Sequence, residues 1–111
     1  MKFDLPENSG IYLINQKNLN NLAELSLKKT NVRDAGLVYL SGLQNLAVLS
    51  LSQTYISDEV LMHLTDLQNL VELILDETKV TDAGLAHLSG LKNLEVLDLS
   101  DTQVTDAGLA Y

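Results

Sequence analysis

The chain has 111 residues, 46% of them hydrophobic, and a formal net charge of -8. That length fits one domain, and so acidic a chain is a poor partner for nucleic acid, whose binding depends on neutralising phosphates with Lys and Arg. There are no cysteines, which excludes disulfides and thiolate metal sites without fixing the compartment.

The opening Met1-Lys2-Phe3-Asp4-Leu5-Pro6-Glu7 lacks the charged-then-apolar layout of a secretory signal. No apolar run approaches the roughly 18 residues that a membrane span needs. The chain therefore reads as soluble, with no membrane partner and its compartment left open. Lys2-Phe3-Asp4-Leu5 is compatible with a short strand. Gly10-Ile11-Tyr12-Leu13-Ile14 resembles Gly36-Leu37-Val38-Tyr39-Leu40 further along. Residues 1–18 are expected to form a degenerate first unit that caps the core.

From residue 19 the chain repeats. Leu19-Asn20-Asn21-Leu22 returns as Leu43-Gln44-Asn45-Leu46, Leu67-Gln68-Asn69-Leu70 and Leu91-Lys92-Asn93-Leu94. The period is 24 residues, giving units 19–42, 43–66, 67–90 and a truncated 91–111. Such a period marks a solenoid of stacked units. The first half of each unit alternates, as in Leu73-Ile74-Leu75-Asp76, which is the spacing of a strand with one buried face. Strands are expected near Leu25–Leu27, Leu49–Leu51, Leu73–Leu75 and Leu97–Leu99. The second half has helical spacing, with Leu85, Leu88 and Leu91 on one stripe, so helices are expected near residues 35–41, 59–65 and 83–89.

Asp34, Asp58, Asp82 and Asp106 stand where those helices should begin, and a carboxylate there can cap orphan N–H groups. Gly42 and Gly90 stand where a left-handed residue would stop a helix. Asp66 replaces glycine in the second unit, so a strained turn is expected there. One unit cannot bury its own leucines. Stacking would place Leu25, Leu49, Leu73 and Leu97 in one buried column, Leu27, Leu51, Leu75 and Leu99 in a second, and Leu37, Leu61, Leu85 and Leu109 in a third. Units running the same way give a parallel sheet. Strands stack about 4.8 Å apart and helices about 8–10 Å apart, so the sheet should line the concave side.

The pattern Leu-x-x-Leu-x-x-Leu-x-Leu, found four times in one register, resembles the leucine-rich-repeat family. The 24-residue length and the segment Val80-Thr81-Asp82-Ala83-Gly84-Leu85 resemble its bacterial GALA-like type. The resemblance covers residues 19–111. It implies an α/β right-handed solenoid with a concave parallel β-sheet and convex helices, used to bind proteins. Some larger proteins use GALA-like repeats as partner-recognition arms. One departure is that many relatives carry Asn after the strand, forming a side-chain ladder, where this chain has Thr30, Thr54, Thr78 and Thr102. A hydroxyl offers one donor against two for an amide, so a thinner ladder is expected.

Nothing in the chain calls for an enzyme, a metal or a cofactor. His63 and His87 recur at one place in successive units, but two imidazoles make an incomplete metal site, and a half-exposed helical position explains them. A calcium ladder of the four aspartates would fall short of the six to eight oxygens that calcium takes. Serines and threonines form no set with His and Asp that suggests a nucleophile. The isolated glycines lack the lysine of a phosphate loop.

The remaining function lies on the sheet. Side chains that alternate with the buried leucines should point away from the core: Glu24, Ser26 and Lys28, then Val48, Ser50 and Ser52, then Glu72, Ile74 and Asp76, then Val96, Asp98 and Ser100. The next position holds Lys29, Gln53, Glu77 and Asp101. Val48, Ile74 and Val96 place apolar groups on a face otherwise polar, as a binding patch does. Charge also shifts, from +1 in residues 19–42 to -3 in each later unit, a gradient that can orient a partner. A protein partner on this concave face is the leading expectation; the alternative is a structural or self-associating fragment with no ligand of its own. The last unit should leave Leu97, Leu99, Val104 and Leu109 uncovered, with homodimerisation or fraying at that open end as outcomes.

Overall fold

The computed structural model describes residues 2–4, 23–29 and 42–108, the first three as backbone alone. The helix expected at 35–41, the roles of Asp34, Leu37 and Leu109, the Thr30 ladder position and most of residues 1–18 lie outside the described residues.

Five short strands form one sheet in chain order: β1 Lys2–Asp4, β2 Glu24–Ser26, β3 Val48–Ser50, β4 Glu72–Ile74 and β5 Val96–Asp98. Every pair is parallel, and Leu25, Leu49, Leu73 and Leu97 stand opposite one another across the sheet. The strands thus start one residue before the expected centres. Leu27, Leu51 and Leu75 lie just past them but stay in the ladder: their N–H groups donate to the carbonyls of Ser50, Ile74 and Asp98. β1 joins with Lys2 opposite Glu24, an offset two residues shorter than the one that sets Glu24 opposite Val48.

Each strand leads through a turn to a short helix. α1 spans Asp58–His63, and α2 spans Asp82–Leu85 and continues as a 3-10 turn over Ala86–Leu88. Helices this short are marginal alone; they persist because Val60, Leu61, Leu85 and Leu88 bury one stripe against the sheet's inner side. No helix among the described residues is long and apolar enough to cross a membrane.

The core follows the repeat. Leu49, Leu51, Leu73, Leu75, Ile56, Leu61 and Val80 are all fully buried, within one continuous cluster. Each such side chain contributes roughly 1.5–3 kcal/mol, largely offset by chain ordering. The column changes character at its end. Leu97 is 38% exposed while Leu73, one strand earlier, is at 0%. Leu94, Leu99 and Val104 are only partly buried.

Two expectations about turns are corrected. No glycine among the described residues has a positive φ, so Gly42 and Gly90 are not left-handed helix stops, and Asp66 carries no left-handed strain. The helical segments instead run out through right-handed turns: Leu67 N–H donates to Leu64 O, Leu70 N–H to Leu67 O, Leu91 N–H to Leu88 O and Leu94 N–H to Leu91 O. The left-handed residues lie elsewhere, just past the strands. Lys29, Gln53, Glu77 and Asp101 have φ values of 60°, 56°, 55° and 56°.

The aspartates also act differently from the expectation. Ser57 and Thr81 hold the N-cap positions, and Asp58 and Asp82 are the first helical residues. Their carboxylates reach forward to the next unit. Asp58 accepts from Thr81 N–H at 2.8 Å and from Thr81 Oγ1 at 2.5 Å. Asp82 accepts from Thr105 N–H and Oγ1. The acid that starts one helix thus caps the entry to the following one.

Candidate functional site

The strand register arranges the outward side chains in rows that cross the sheet. The first row is Glu24, Val48, Glu72 and Val96, and the second is Ser26, Ser50, Ile74 and Asp98. By the same period Lys28, Ser52, Asp76 and Ser100 make the third, and Lys29, Gln53, Glu77 and Asp101 the fourth. Val48 and Val96 therefore flank Glu72 in one row, while Ile74 lies in the next, between Ser50 and Asp98. The apolar groups are a zigzag among polar ones rather than a single stripe.

Accessibility follows side-chain length and position along the stack. Glu24, Lys28, Glu77, Val96, Ser100 and Asp101 are exposed; Ser26, Val48, Ser50, Glu72, Ile74, Asp76 and Asp98 are half-buried. Val96 is 45% exposed. Ser52 departs from the expectation, being 3% exposed. Its short side chain stands in a row between the longer Lys28 and Asp76, and its carbonyl accepts from Lys29 N–H at 3.0 Å. Ser52 is a packing residue and leaves the candidate face.

Charge is polarised along the sheet. Lys28 and Lys29 stand exposed in the first repeat, and Glu77 and Asp101 are exposed in the third and fourth. Asp98 is partly engaged within its own turn: its Oδ1 accepts from Ser100 N–H at 3.0 Å and from Ser100 Oγ at 2.7 Å. These two bonds, the backbone one first, hold the Asp98 carboxyl below its ordinary value of 3.8. The aspartate stays ionised while its turn is fixed, which gives the acidic end a defined geometry.

The turn behind the fourth row is closed by the threonines. Thr54, Thr78 and Thr102 each donate Oγ1 to the carbonyl three residues back, that of Leu51, Leu75 and Leu99, at 2.7 Å. They seal their own unit and make no ladder between units. A ladder exists at a place the sequence reading overlooked. Asn69 Nδ2 donates to Gln44 O at 3.0 Å, and Asn93 Nδ2 to Gln68 O at 2.8 Å. The signal was available, since Asn recurs every 24 residues at a surface position with no apolar role.

His63 and His87 occupy matching, half-buried positions at the helical side. Among the described residues no three His, Cys, Asp or Glu side chains come together as a metal-binding set.

The family model described as "Leucine Rich repeats (2 copies)" matches residues 68–111. Among solved structures, internalin C2 from Listeria monocytogenes is 34% identical, with a TM-score of 0.74 over 88% of this chain. An internalin F structure from the same organism is 22% identical, with a TM-score of 0.58 over 93% of this chain, and shows likeness of fold alone. The chain spans 41% of the first structure and 35% of the second. No curated protein sequence matches it. The 24-residue register, the parallel sheet with one leucine column behind it, and the match over residues 68–111 agree: the chain has the fold of a leucine-rich-repeat solenoid.

Proposed function

We propose that this chain is a non-catalytic interaction module that holds a protein partner on the outward face of its sheet. The observation that carries the reading is the apolar zigzag of half-buried Val48 and Ile74 with exposed Val96 on a face whose other side chains are polar. Core packing does not require those groups, and apolar side chains at a partly solvated site gain most when a partner excludes water from them. Thirteen residues make up the proposed face: Glu24, Ser26, Lys28, Val48, Ser50, Glu72, Ile74, Asp76, Glu77, Val96, Asp98, Ser100 and Asp101. The lysine end and the acidic end fix the partner's direction. Nucleic acid is disfavoured by charge. Residues 1–18 serve as the capping unit of this module, ahead of the four repeats.

The test is quantitative affinity capture from the cells that express the protein, with wild type beside the Val48→Ser, Ile74→Ser, Val96→Ser triple variant. Circular dichroism confirms that both are folded. A protein retained by wild type and lost by the triple variant supports the reading. Identical captured sets overturn it and favour the alternative, a structural or self-associating fragment.

A further inference from the structure

β4 carries an arrangement that no other described strand repeats. Ile74 stands on the outward face with Glu72 two residues before it and Asp76 two residues after it, and its register partner on β5 is Asp98. On the other side, its partner on β3 is Ser50. β4 lies inside the sheet, paired with a strand on each side, so the accessibility of its side chains does not come from an edge. Glu72, Ile74 and Asp76 are half-buried, and Glu77 is exposed.

The side chains of Glu72, Asp76 and Glu77 make no hydrogen bond or ion pair among the described residues. Lys79 and Lys92 are the only Lys or Arg in residues 43–111, and both lie off the outward rows. These carboxylates attract cations, and the apolar group between them decides which kind. Glu72 and Asp76 are four residues apart on an extended strand, about 13 Å between Cα atoms. One calcium ion, whose oxygens lie at roughly 2.3–2.6 Å, cannot hold both across that span. Lysine and arginine differ from a metal ion in carrying an aliphatic stem, which lies on apolar surface while the charged head reaches a carboxylate.

We infer that Ile74 and the carboxylates around it receive a basic segment of a polypeptide. One lysine or arginine head meets Glu72 and a second meets Asp76 or Glu77, while an apolar side chain between them, or their own stems, covers Ile74. The inference rests on the reading of this face as a protein-binding surface and names the chemistry of the partner. In an extended segment, residues four apart span the same 13 Å or so, so basic residues at that spacing with an apolar residue midway match the strand beneath. Hydrogen bonds between ionised donors and ionised acceptors are the strong class. Asp98, held in place by Ser100, adds a third carboxylate beside Ile74. Lys28 and Lys29 stand at the other end of the face and oppose a segment that is basic along its whole length, which sets its direction.

The test uses the full chain and synthetic peptides built on Lys-Ser-Leu-Ser-Lys, with Lys-Ser-Ser-Ser-Lys and Glu-Ser-Leu-Ser-Glu as comparisons. Binding is read by NMR at the Ile74 methyl groups and at the Glu72, Asp76 and Glu77 amides. The expected result is saturable shifts with the first peptide, and binding weakened by about 5-fold or more in the Glu72→Gln, Asp76→Asn variant. The Glu59→Gln, Asp66→Asn variant removes the same charge from exposed positions off this face and should bind as wild type does. Circular dichroism confirms that each variant is folded. No shifts, equal binding of the three peptides, equal losses in the two charge variants, or the same shifts from calcium chloride alone would each overturn the inference. So would a partner caught in the affinity experiment above whose contact with this face contains no basic residue, an outcome that leaves the binding-face reading standing.

Discussion

The carboxylate of Asp58 fills the space that a side chain at Gly84 would need: a Cβ there would come within 2.8 Å of Asp58 Cγ. Asp82 stands in the same relation to Gly108. Asp, Thr and Gly thus form a clasp between units. The acid of one unit grips the threonine N–H and hydroxyl of the next, and glycine keeps the approach open.

Gly84→Ala should therefore destabilise the protein by about 1–3 kcal/mol, as overpacking does, although alanine alone would gain up to about 1 kcal/mol in a helix. Asp58→Ala should cost a similar amount, about 1–3 kcal/mol, through lost bonds to a charged acceptor. The double variant should be less destabilised than the sum, because removing the carboxylate removes the overlap with Asp58 and leaves only that with the flexible end of Leu61, whose Cδ1 lies 2.8 Å from the added Cβ. Urea melts of the four proteins in this cycle check it; additivity would mean that the clasp is not the reason for glycine.

Acid should loosen the stack. The Thr105 hydroxyl first, then the Thr105 and Gly108 N–H groups, hold Asp82 below its ordinary value of 3.8 against a smaller opposing effect of burial. Asp98 is lowered by Ser100 in the same sense. A carboxyl whose folded pKa is depressed adds stability above its unfolded pKa, and that stability is lost as pH falls through the folded value. Melting temperatures should hold steady near neutrality and drop as pH descends below about 4. Asp82→Asn should flatten that acid limb relative to wild type, and an unchanged limb would assign the acid sensitivity to other groups.

Truncating two leucines of the same column should give different costs. Leu73 is fully buried, so Leu73→Ala should destabilise by about 2–5 kcal/mol. Leu97 is 38% exposed, with less transfer energy to lose and no closed cavity to leave, so Leu97→Ala should cost about 1 kcal/mol or less. Equal costs by denaturant titration would show that the last unit is covered in solution.

The left-handed turns make a prediction of opposite sign. Glu77 has φ 55°, a region that a Cβ disfavours by roughly 1–2 kcal/mol. Glu77→Gly should be neutral or stabilising by up to about 1 kcal/mol, the chain-entropy cost of glycine cancelling part of the relief. Glu77→Val, whose branched Cβ tolerates this region worst, should destabilise by about 1–2 kcal/mol. Thermal melts separate the three proteins.

The sheet and its buried columns were legible because they follow from period alone. Once Leu25, Leu49, Leu73 and Leu97 recur every 24 residues with alternation around them, parallel pairing in register is the arrangement that stacks them in one column, buried at Leu25, Leu49 and Leu73. The turns were less legible, because local signals were ambiguous between one unit and two. An aspartate at a helix start looks the same whether it caps its own helix or the next one, and only the position of Thr81 against Asp58 distinguishes them. Glycine likewise signals either a left-handed φ or a close approach. At Gly84 it is the approach, while the positive φ falls on Lys29, Gln53, Glu77 and Asp101, which carry no compositional mark. On the candidate face, alternation separates the side chains from the buried leucines, but it carries no information on how far neighbouring units cover each one, and Ser52 is buried where Ser100 in the same row is exposed.

Those four left-handed positions set how freely the protein's surface can change. A glycine at each would satisfy the backbone with less strain, and would leave the rim of the sheet blank. With Lys29, Gln53, Glu77 and Asp101 there, each unit tolerates a small conformational penalty and in return places a side chain at the rim of the sheet. Successive units thereby read as positive, neutral, negative and negative along one edge. That sequence of charges can be rewritten one residue at a time, by any unbranched side chain, without disturbing a single leucine behind it.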